Sequence, residues 1–342
     1  LLTGASGCGK TTITRLINGL IPHYYEGTLS GEVLIDGKNI VDMEMHESTR
    51  YSGSVFQNPR AQFFAVDTDS EMSFECENYG MPENEILERV ENTTREFNVG
   101  ALRHRDIFLL SGGEKQKIAC ASVSVDGPEI LILDEPSSNL DMTATRDLQK
   151  SIGIWKEQGK TVIIAEHRLS YLIDLADRII YMSDGKICAE YTPKQLKDMT
   201  AEQMQQLGLR PVTREQLPLV PKKTVLINDR PPIKLNDFYF SYDGVRRILE
   251  IDEAQIPSGE TVAIVGYNGT GKSTFARCLI GLQKHFRGKA EIDGESLKRS
   301  KRLQKCFMVM QDPGHQLFAE SVMEEILISM KAPDEQKAEE IL

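Results

Sequence analysis

The pattern G-x-x-x-x-G-K-[ST] occurs twice in this chain, as Gly4-Ala5-Ser6-Gly7-Cys8-Gly9-Lys10-Thr11 and as Gly266-Tyr267-Asn268-Gly269-Thr270-Gly271-Lys272-Ser273. It demands a strand that runs into a glycine loop and then into a helix, so it constrains the fold as well as the chemistry. Glycine lets consecutive backbone N–H groups curl around phosphate oxygens, the lysine reaches the β and γ oxygens, and the hydroxyl of Thr11 or Ser273 is placed for Mg²⁺. Gly4, Gly7, Gly9, Lys10, Thr11 and Thr12 are therefore candidate nucleotide ligands in the first copy. Gly266, Asn268, Gly269, Gly271, Lys272, Ser273 and Thr274 are their counterparts in the second. After the first loop, Ile13, Leu16, Ile17 and Leu20 share one face, which predicts a helix stopped by Pro22. Before the second loop, Thr261-Val262-Ala263-Ile264-Val265 predicts a buried strand. Before the first loop Leu1 and Leu2 are the only apolar residues of such a strand, so strands are expected upstream of this chain's first residue.

Between the two loops, Ile130-Leu131-Ile132-Leu133 is an apolar run that ends abruptly in Asp134-Glu135-Pro136. A buried parallel strand reads this way when its C-terminal end delivers carboxylates to a site. Ahead of it, Leu110-Ser111-Gly112-Gly113-Glu114 opens a proline-free helical run. Its bare N-terminal N–H groups make an anion site, and Ser111 can cap the helix or offer its hydroxyl to a phosphate. Thr161-Val162-Ile163-Ile164-Ala165 is a second buried strand, and it ends at Glu166-His167-Arg168-Leu169. Composition narrows the classes. With 40 Lys and Arg against 51 Asp and Glu, the net charge of -11 argues against a broad nucleic-acid footprint. No apolar run approaches the roughly 18 residues that cross a bilayer. The six cysteines, Cys8, Cys76, Cys120, Cys188, Cys278 and Cys306, lack C-x-x-C spacing, so neither a zinc site nor a disulfide framework is expected.

Leu-Ser-Gly-Gly-Glu, a strand ending Asp-Glu-Pro, and Ser137-Ser138-Asn139-Leu140-Asp141 together resemble the signature, Walker B and D-loop of ABC-type ATPases. The resemblance implies that Ser111, Gly112 and Gly113 cap the γ-phosphate of an ATP held by another domain. It further implies that Asp134 orients Mg²⁺, Glu135 polarises the attacking water, Asp141 acts across the dimer and His167 is the switch histidine at the γ-phosphate. Gln57, in Ser54-Val55-Phe56-Gln57-Asn58-Pro59, matches the glutamine that ligates Mg²⁺ and senses a transmembrane partner, and Gln311 is its counterpart. Tyr242 matches the adenine-stacking aromatic. The extension Asn58-Pro59-x-x-Gln62-Phe63, with Glu-His-Arg-Leu, is similar to the ATPases of energy-coupling factor (ECF) importers of vitamins and cobalt. The implied partners are a transmembrane ECF-type subunit and a substrate-binding membrane subunit. The implied place is the cytoplasmic face of the cell membrane, held peripherally through those partners.

The expected fold is α/β: tandem P-loop NTPase domains, each with a RecA-like parallel sheet, an antiparallel β subdomain and a helical signature subdomain. Residues 1–208 would be the first nucleotide-binding domain, 209–232 a proline-rich linker, and 233–342 part of a second that stops before its signature and Walker B. On that division neither site has all its parts, and the chain by itself is expected to bind Mg-ATP weakly and hydrolyse it poorly. The linker has no long charged helix, which disfavours a tandem ABC ATPase acting on ribosomes. Glu135 disfavours a nucleotide-dependent regulator without turnover.

Overall fold

The computed structural model describes residues 1–217, 230–311, 313–330 and 332–342. They form two units, Leu1–Lys222 and Lys223–Leu342. In the first, β1 (Leu2–Gly4) runs through the glycine loop into α1 (Lys10–Ile17), whose N-cap is Gly9 at φ 99°. The helix ends earlier than Pro22. Asn18 caps it and Gly19, at φ 77°, turns the chain into α2 (Leu20–His23), so the Asn-Gly pair is the stop signal. β2 (Leu34–Ile35) and β3 (Lys38–Asn39) form a hairpin through Asp36 and Gly37, both at positive φ, as a two-residue type I′ turn requires. α3 (Met45–Ser48) precedes β4 (Ser52–Val55). The acidic stretch that follows forms α4 (Thr68–Asn78), capped by Asp67, and α5 (Glu83–Glu96), entered from Pro82. α6 (Gly112–Val125), β5 (Ile130–Asp134), α7 (Met142–Glu157) and β6 (Thr161–Ala165) follow. β7 (Ile179–Ser183) and β8 (Lys186–Tyr191) close the sheet.

That sheet has the order β4-β5-β6-β1-β7-β8, parallel from β4 to β7 with β8 antiparallel at the edge. Short as it is, β1 lies inside the sheet, pairing Leu2 with Ala165 on one side and with Ile180 on the other. Its three residues are buried because parallel strands covered by helices on both faces have no solvent side. The main core joins the sheet to the helices through Leu131, Leu133, Ile118, Val90, Phe97 and Trp155. Trp155 satisfies its indole N–H by donating to Ser124 Oγ at 2.8 Å. Composition suggests a linker from residue 209, but the chain still packs there. α8 (Pro193–Asp198) and α9 (Ala201–Gln206) both open on capping boxes. Leu209 and Val212 are buried with Leu196 and Met204, and the buried Gln216 amide donates to the carbonyls of Leu196 and Met199.

The second unit is built differently from the parallel core expected. β9 (Ile233–Phe240) and β10 (Leu249–Ile256) pair antiparallel, and β9 also pairs β11 (Arg287–Ile292), which pairs β12 (Glu295–Ser296). α10 (Lys272–Ile280) follows the second glycine loop. α11 (Arg299–Lys305), α12 (Val322–Ser329) and α13 (Glu335–Ile341) follow. Leu235, Phe238 and Phe240 are buried with Phe275 and Cys278 of α10, the two-residue alternation being broken once at Asp237, where φ is 48° and the register with β11 shifts. Thr261–Val265, predicted as a strand, is not one: Val262, Ile264 and Val265 are exposed, the last at 87 %. A parallel strand exists only through the ladders on either side of it. Among the described residues of this unit nothing corresponds to β5 or β6.

Leu133, wholly buried in the main core, tests the link between strand and site. Leu133→Ala is expected to destabilise the first unit by about 2–5 kcal/mol. Chemical denaturation followed by the fluorescence of the single tryptophan, Trp155 in the same cluster, measures it.

Candidate active site

Because β4, β5, β6 and β1 are parallel neighbours, their C-terminal ends open on one edge of the sheet, where α/β folds place ligand sites. From β1 comes the first glycine loop. A Cβ on Gly4 would stand 2.1 Å from the carbonyl oxygen of Met182 on β7, so only glycine lets the loop leave the sheet there. Lys10, buried, reaches back and donates to the carbonyls of Gly4 at 3.2 Å and Ala5 at 3.0 Å. Its ammonium thus sits in the curl of the loop. Gly7 and Gly9 hold positive φ, and Thr12 points outward from the first turn of α1.

β5 delivers the acids. Thr11 Oγ1 donates to Asp134 Oδ1 at 3.1 Å, so the hydroxyl at the start of α1 and the carboxylate at the end of β5 stand side by side. Burial raises the Asp134 pKa above its ordinary 3.8, the Thr11 hydrogen bond opposes that shift, and the neighbouring Glu135 charge adds to it. Glu135 adopts φ 43°, an uncommon left-handed conformation for a residue other than glycine, while its N–H donates to Ala165 O at 2.8 Å. The side chain is held on both oxygens: Gln57 Nε2 donates to Oε2 at 3.2 Å, and His167 Nε2 lies 3.0 Å from Oε1. Lys10, Thr11, Gln57, Asp134, Glu135 and His167, brought by four strands, therefore form one constellation.

Thr11 and Asp134 pass a simple test of fit for Mg²⁺. They present adjacent hard oxygen donors, which that ion takes together with phosphate oxygens and water, and a divalent cation would offset the ionisation penalty on Asp134.

The remaining candidates stand as follows. Ser111 is the N-cap of α6 in a capping box, its N–H donating to Glu114 Oε2 and its Oγ accepting from the Glu114 N–H. Gly112 and Gly113 form the first turn, where a Cβ on Gly113 would meet that of Ala144 at 2.7 Å. Asp141 caps α7 by accepting from Ala144 N–H. In the second unit Lys272 donates to the carbonyls of Gly266 and Tyr267, as Lys10 does in the first loop. Gly269 and Gly271 hold positive φ. Tyr242, largely exposed, stacks edge-on against Phe240, and its hydroxyl is 3.2 Å from Thr274 Oγ1. Asn268, Ser273 and Gln311 are exposed, and the described residues around them include no acid-ended strand like β5.

Two features had no role assigned from sequence. Gln62 Oε1 accepts from Phe56 N–H, and the buried Glu71 accepts from the N–H groups of Phe64 and Ala65, which pins the loop carrying Gln57. Gln316 and Glu325 repeat these bonds with Met310, Phe318 and Ala319. The repeated Gln and Glu spacing was the available signal. The second feature is Glu166, buried at the end of β6, whose carboxylate receives backbone N–H groups. Beside the glutamine loop lies a cavity of about 670 Å³, lined by Phe56, Gln62, Phe64, Phe74, Glu75 and Tyr79 among others. Burial, reinforced by the Asp126 charge, pushes the Glu75 carboxyl up to about 7 against the hydrogen bond from Tyr79.

The ABC transporter family profile matches residues 1–138 and 249–342. The chain belongs to the ABC transporter family. This ABC protein is 44% identical over 348 residues to a protein of Treponema denticola, with 100% of the chain and 71% of the relative covered. A second Treponema denticola protein is 37% identical over 341 residues, with 98% and 69% covered. Both are named as ABC transporter ATP-binding proteins. Among solved structures it resembles cbiO1 from Clostridium perfringens, described as part of the ABC transporter complex cbiONQ. The identity there is 31% and the TM-score 0.52, covering 57% of this chain and 77% of that one. In an ABC protein, the Lys10, Asp134 and Glu135 positions fall within the matched segment.

Asp134 carries a pH test. Its raised pKa means that the fold favours the neutral acid, so ionisation costs stability once the pH exceeds 3.8. Asp134→Asn keeps an acceptor for Thr11. Without nucleotide, that variant is expected to melt above wild type at pH 7, and the difference should disappear as pH falls through 3.8. Thermal melts at a series of pH values check this.

Proposed function

We propose that this chain supplies ATP hydrolysis to an ECF-type ABC importer of a vitamin or a transition-metal ion. The observation that carries the hydrolytic part is Glu135, tied to Gln57 through one oxygen and to His167 through the other, beside the Lys10, Thr11 and Asp134 group. Lys10 exchanges the carbonyls of Gly4 and Ala5 for the β and γ oxygens of ATP, and the N–H groups of the loop take the remaining phosphate charge. Glu135 orients the attacking water and draws on its proton as the new bond to the γ-phosphorus forms and the bond to the ADP oxygen breaks. His167 and Gln57 fix the Glu135 carboxylate, and His167 is assigned to sense the γ-phosphate. Thr11, Asp134 and Gln57 would hold Mg²⁺, which when bound neutralises phosphate charge.

Ser111, Gly112 and Gly113 present a helix N-terminus to the γ-phosphate of an ATP bound by another domain, and Asp141 acts across the same contact. Only the ATP state offers that group, so ATP favours the closed dimer and hydrolysis removes the preference. The second unit is read as a further nucleotide-binding domain, on three grounds. Its loop repeats the lysine-to-carbonyl bonds, its Gln311 segment repeats the Gln62 and Glu71 bonds, and Tyr242 stands by Thr274 for an adenine. Gly266, Asn268, Gly269, Gly271, Lys272, Ser273, Thr274 and Gln311 are its proposed ligand set, with Ser273 and Gln311 toward the metal.

Support for an importer comes from the likeness to cbiO1 and from the apolar cavity beside the glutamine loop. That cavity is proposed to receive a transmembrane ECF-type subunit, placing the protein peripherally at the cytoplasmic membrane face, with a separate membrane subunit choosing the substrate. The test is Glu135→Gln in the full-length protein reconstituted with its neighbouring membrane subunits. The turnover number is expected to fall about 10²–10⁴-fold, with uptake lost in parallel. Undiminished turnover would remove Glu135 from its role, and stimulation by ribosomes in place of membrane subunits would remove the importer reading.

A further inference from the structure

Glu166 is 2% exposed, and all the polar groups that its carboxylate meets are donors. Oε1 accepts from the N–H groups of His167 at 2.8 Å and Arg168 at 3.1 Å. Oε2 accepts from the Tyr171 hydroxyl at 3.1 Å and from the Ser137 N–H at 3.4 Å. His167 and Ser137 belong to different parts of the site. His167 follows β6 and holds Glu135, whereas Ser137 opens the loop that leads from Glu135 to Asp141. Arg168 repeats the connection in the opposite sense, donating to the carbonyls of Ser137 at 3.0 Å and Leu140 at 3.5 Å. The loop after β5 is therefore fastened to the segment after β6 through both its N–H and its C=O groups. A carboxylate is acceptor-only and can serve four donors, whereas an amide would turn its NH₂ toward some of them.

We propose that Glu166 is a positioning residue that makes the switch histidine and the Ser137–Asp141 loop one mechanical unit. Nucleotide contact sensed at His167 is thereby transmitted to Asp141, and displacement of Asp141 is transmitted back to the Glu135–His167 pair. This inference rests on the reading of Glu135 and His167 as the hydrolytic pair. Glu166 meets neither side chain of that pair; its bonds go chiefly to backbone N–H groups, that of His167 included, and it acts through them.

The experiment is a double-mutant cycle in the full-length protein reconstituted with its membrane subunits, reading kcat and KM for ATP together with the Kd of a fluorescent ATP analogue. Glu166→Gln is expected to lower kcat about 10²-fold, the scale of a small misplacement of a reacting group, while KM and Kd stay within about twofold. In a His167→Ala background, Glu166→Gln should cost about nothing further, because residues acting as a unit are non-additive. Wild-type kcat for Glu166→Gln, or a double variant slowed by the full product of the single effects, overturns the inference. Should Glu166→Gln fail to fold, Arg168→Met is read in the same cycle. A lowered kcat that is non-additive with His167→Ala supports the coupling, and wild-type kcat or additivity overturns it. If His167→Ala itself turns over at the wild-type rate, the hydrolytic reading falls and takes this inference with it. If only the Glu166 and Arg168 variants are silent, the hydrolytic reading stands alone.

Discussion

The site depends on the pairing of three strands at Ala165. Ala165 faces Asp134 on one side and Leu2 on the other, and the ladder continues one step past each strand: Glu135 N–H donates to Ala165 O, and Glu166 N–H to Leu2 O. Parallel ladders fix not only which strands are adjacent but where each stops relative to its neighbours. Here that register sets the last residues of the acid-ended and histidine-bearing strands level with Leu2, so β1 runs on to Gly4 before the glycine loop leaves it. A one-residue slip in any of them would turn its side chains to the opposite face. The hydrophobic residues behind the edge, Leu131 and Leu133 on β5 and Ile164 on β6, resist such a slip by packing into the main core.

Much of the constellation was legible because each of its residues lies next to a local signal. Lys10 lies in a glycine loop, Asp134 and Glu135 end an apolar run, and His167 follows another. What the chain does not write down is who meets whom. The grip of Gln57 and His167 on Glu135 follows from the adjacency of β4, β5 and β6, a property of sheet order. Glu166 was harder still. It looked like one letter of Glu-His-Arg-Leu, since three of its four donors are backbone N–H groups, which leave no trace in side-chain spacing.

Two expectations failed for related reasons. The α1 face pattern runs on to Leu20, but Asn18 and Gly19 end the helix because local backbone preference at a glycine outweighs a half-buried apolar contact. Thr261–Val265 has the composition of a buried strand, yet Val265 is exposed and the segment unpaired. Helix periodicity refers to a segment's own geometry, while a β pattern refers to neighbours that may be far away in the chain. The same apolar composition in Thr161–Ala165 does form a strand, because β5 and β1 flank it.

The three acids at this edge have been given different environments. Glu166 is surrounded by donors. Glu135 is shared between an amide and an imidazole. Asp134 receives the Thr11 hydroxyl, lies partly buried beside the Glu135 charge, and has its pKa raised. A carboxylate penalised for ionising is a cost to the fold unless a cation relieves it, and natural proteins keep such costs at functional sites. Thr11 cannot be that cation, because a hydroxyl stabilises the charge without cancelling it. The Arg15 and Lys10 charges relieve part of that cost, and a divalent ion beside Thr11 and Asp134 would relieve more. Glu166 is bound chiefly to backbone N–H groups and Glu135 to two side chains, so the same kind of acid meets three different sets of partners along one sheet edge.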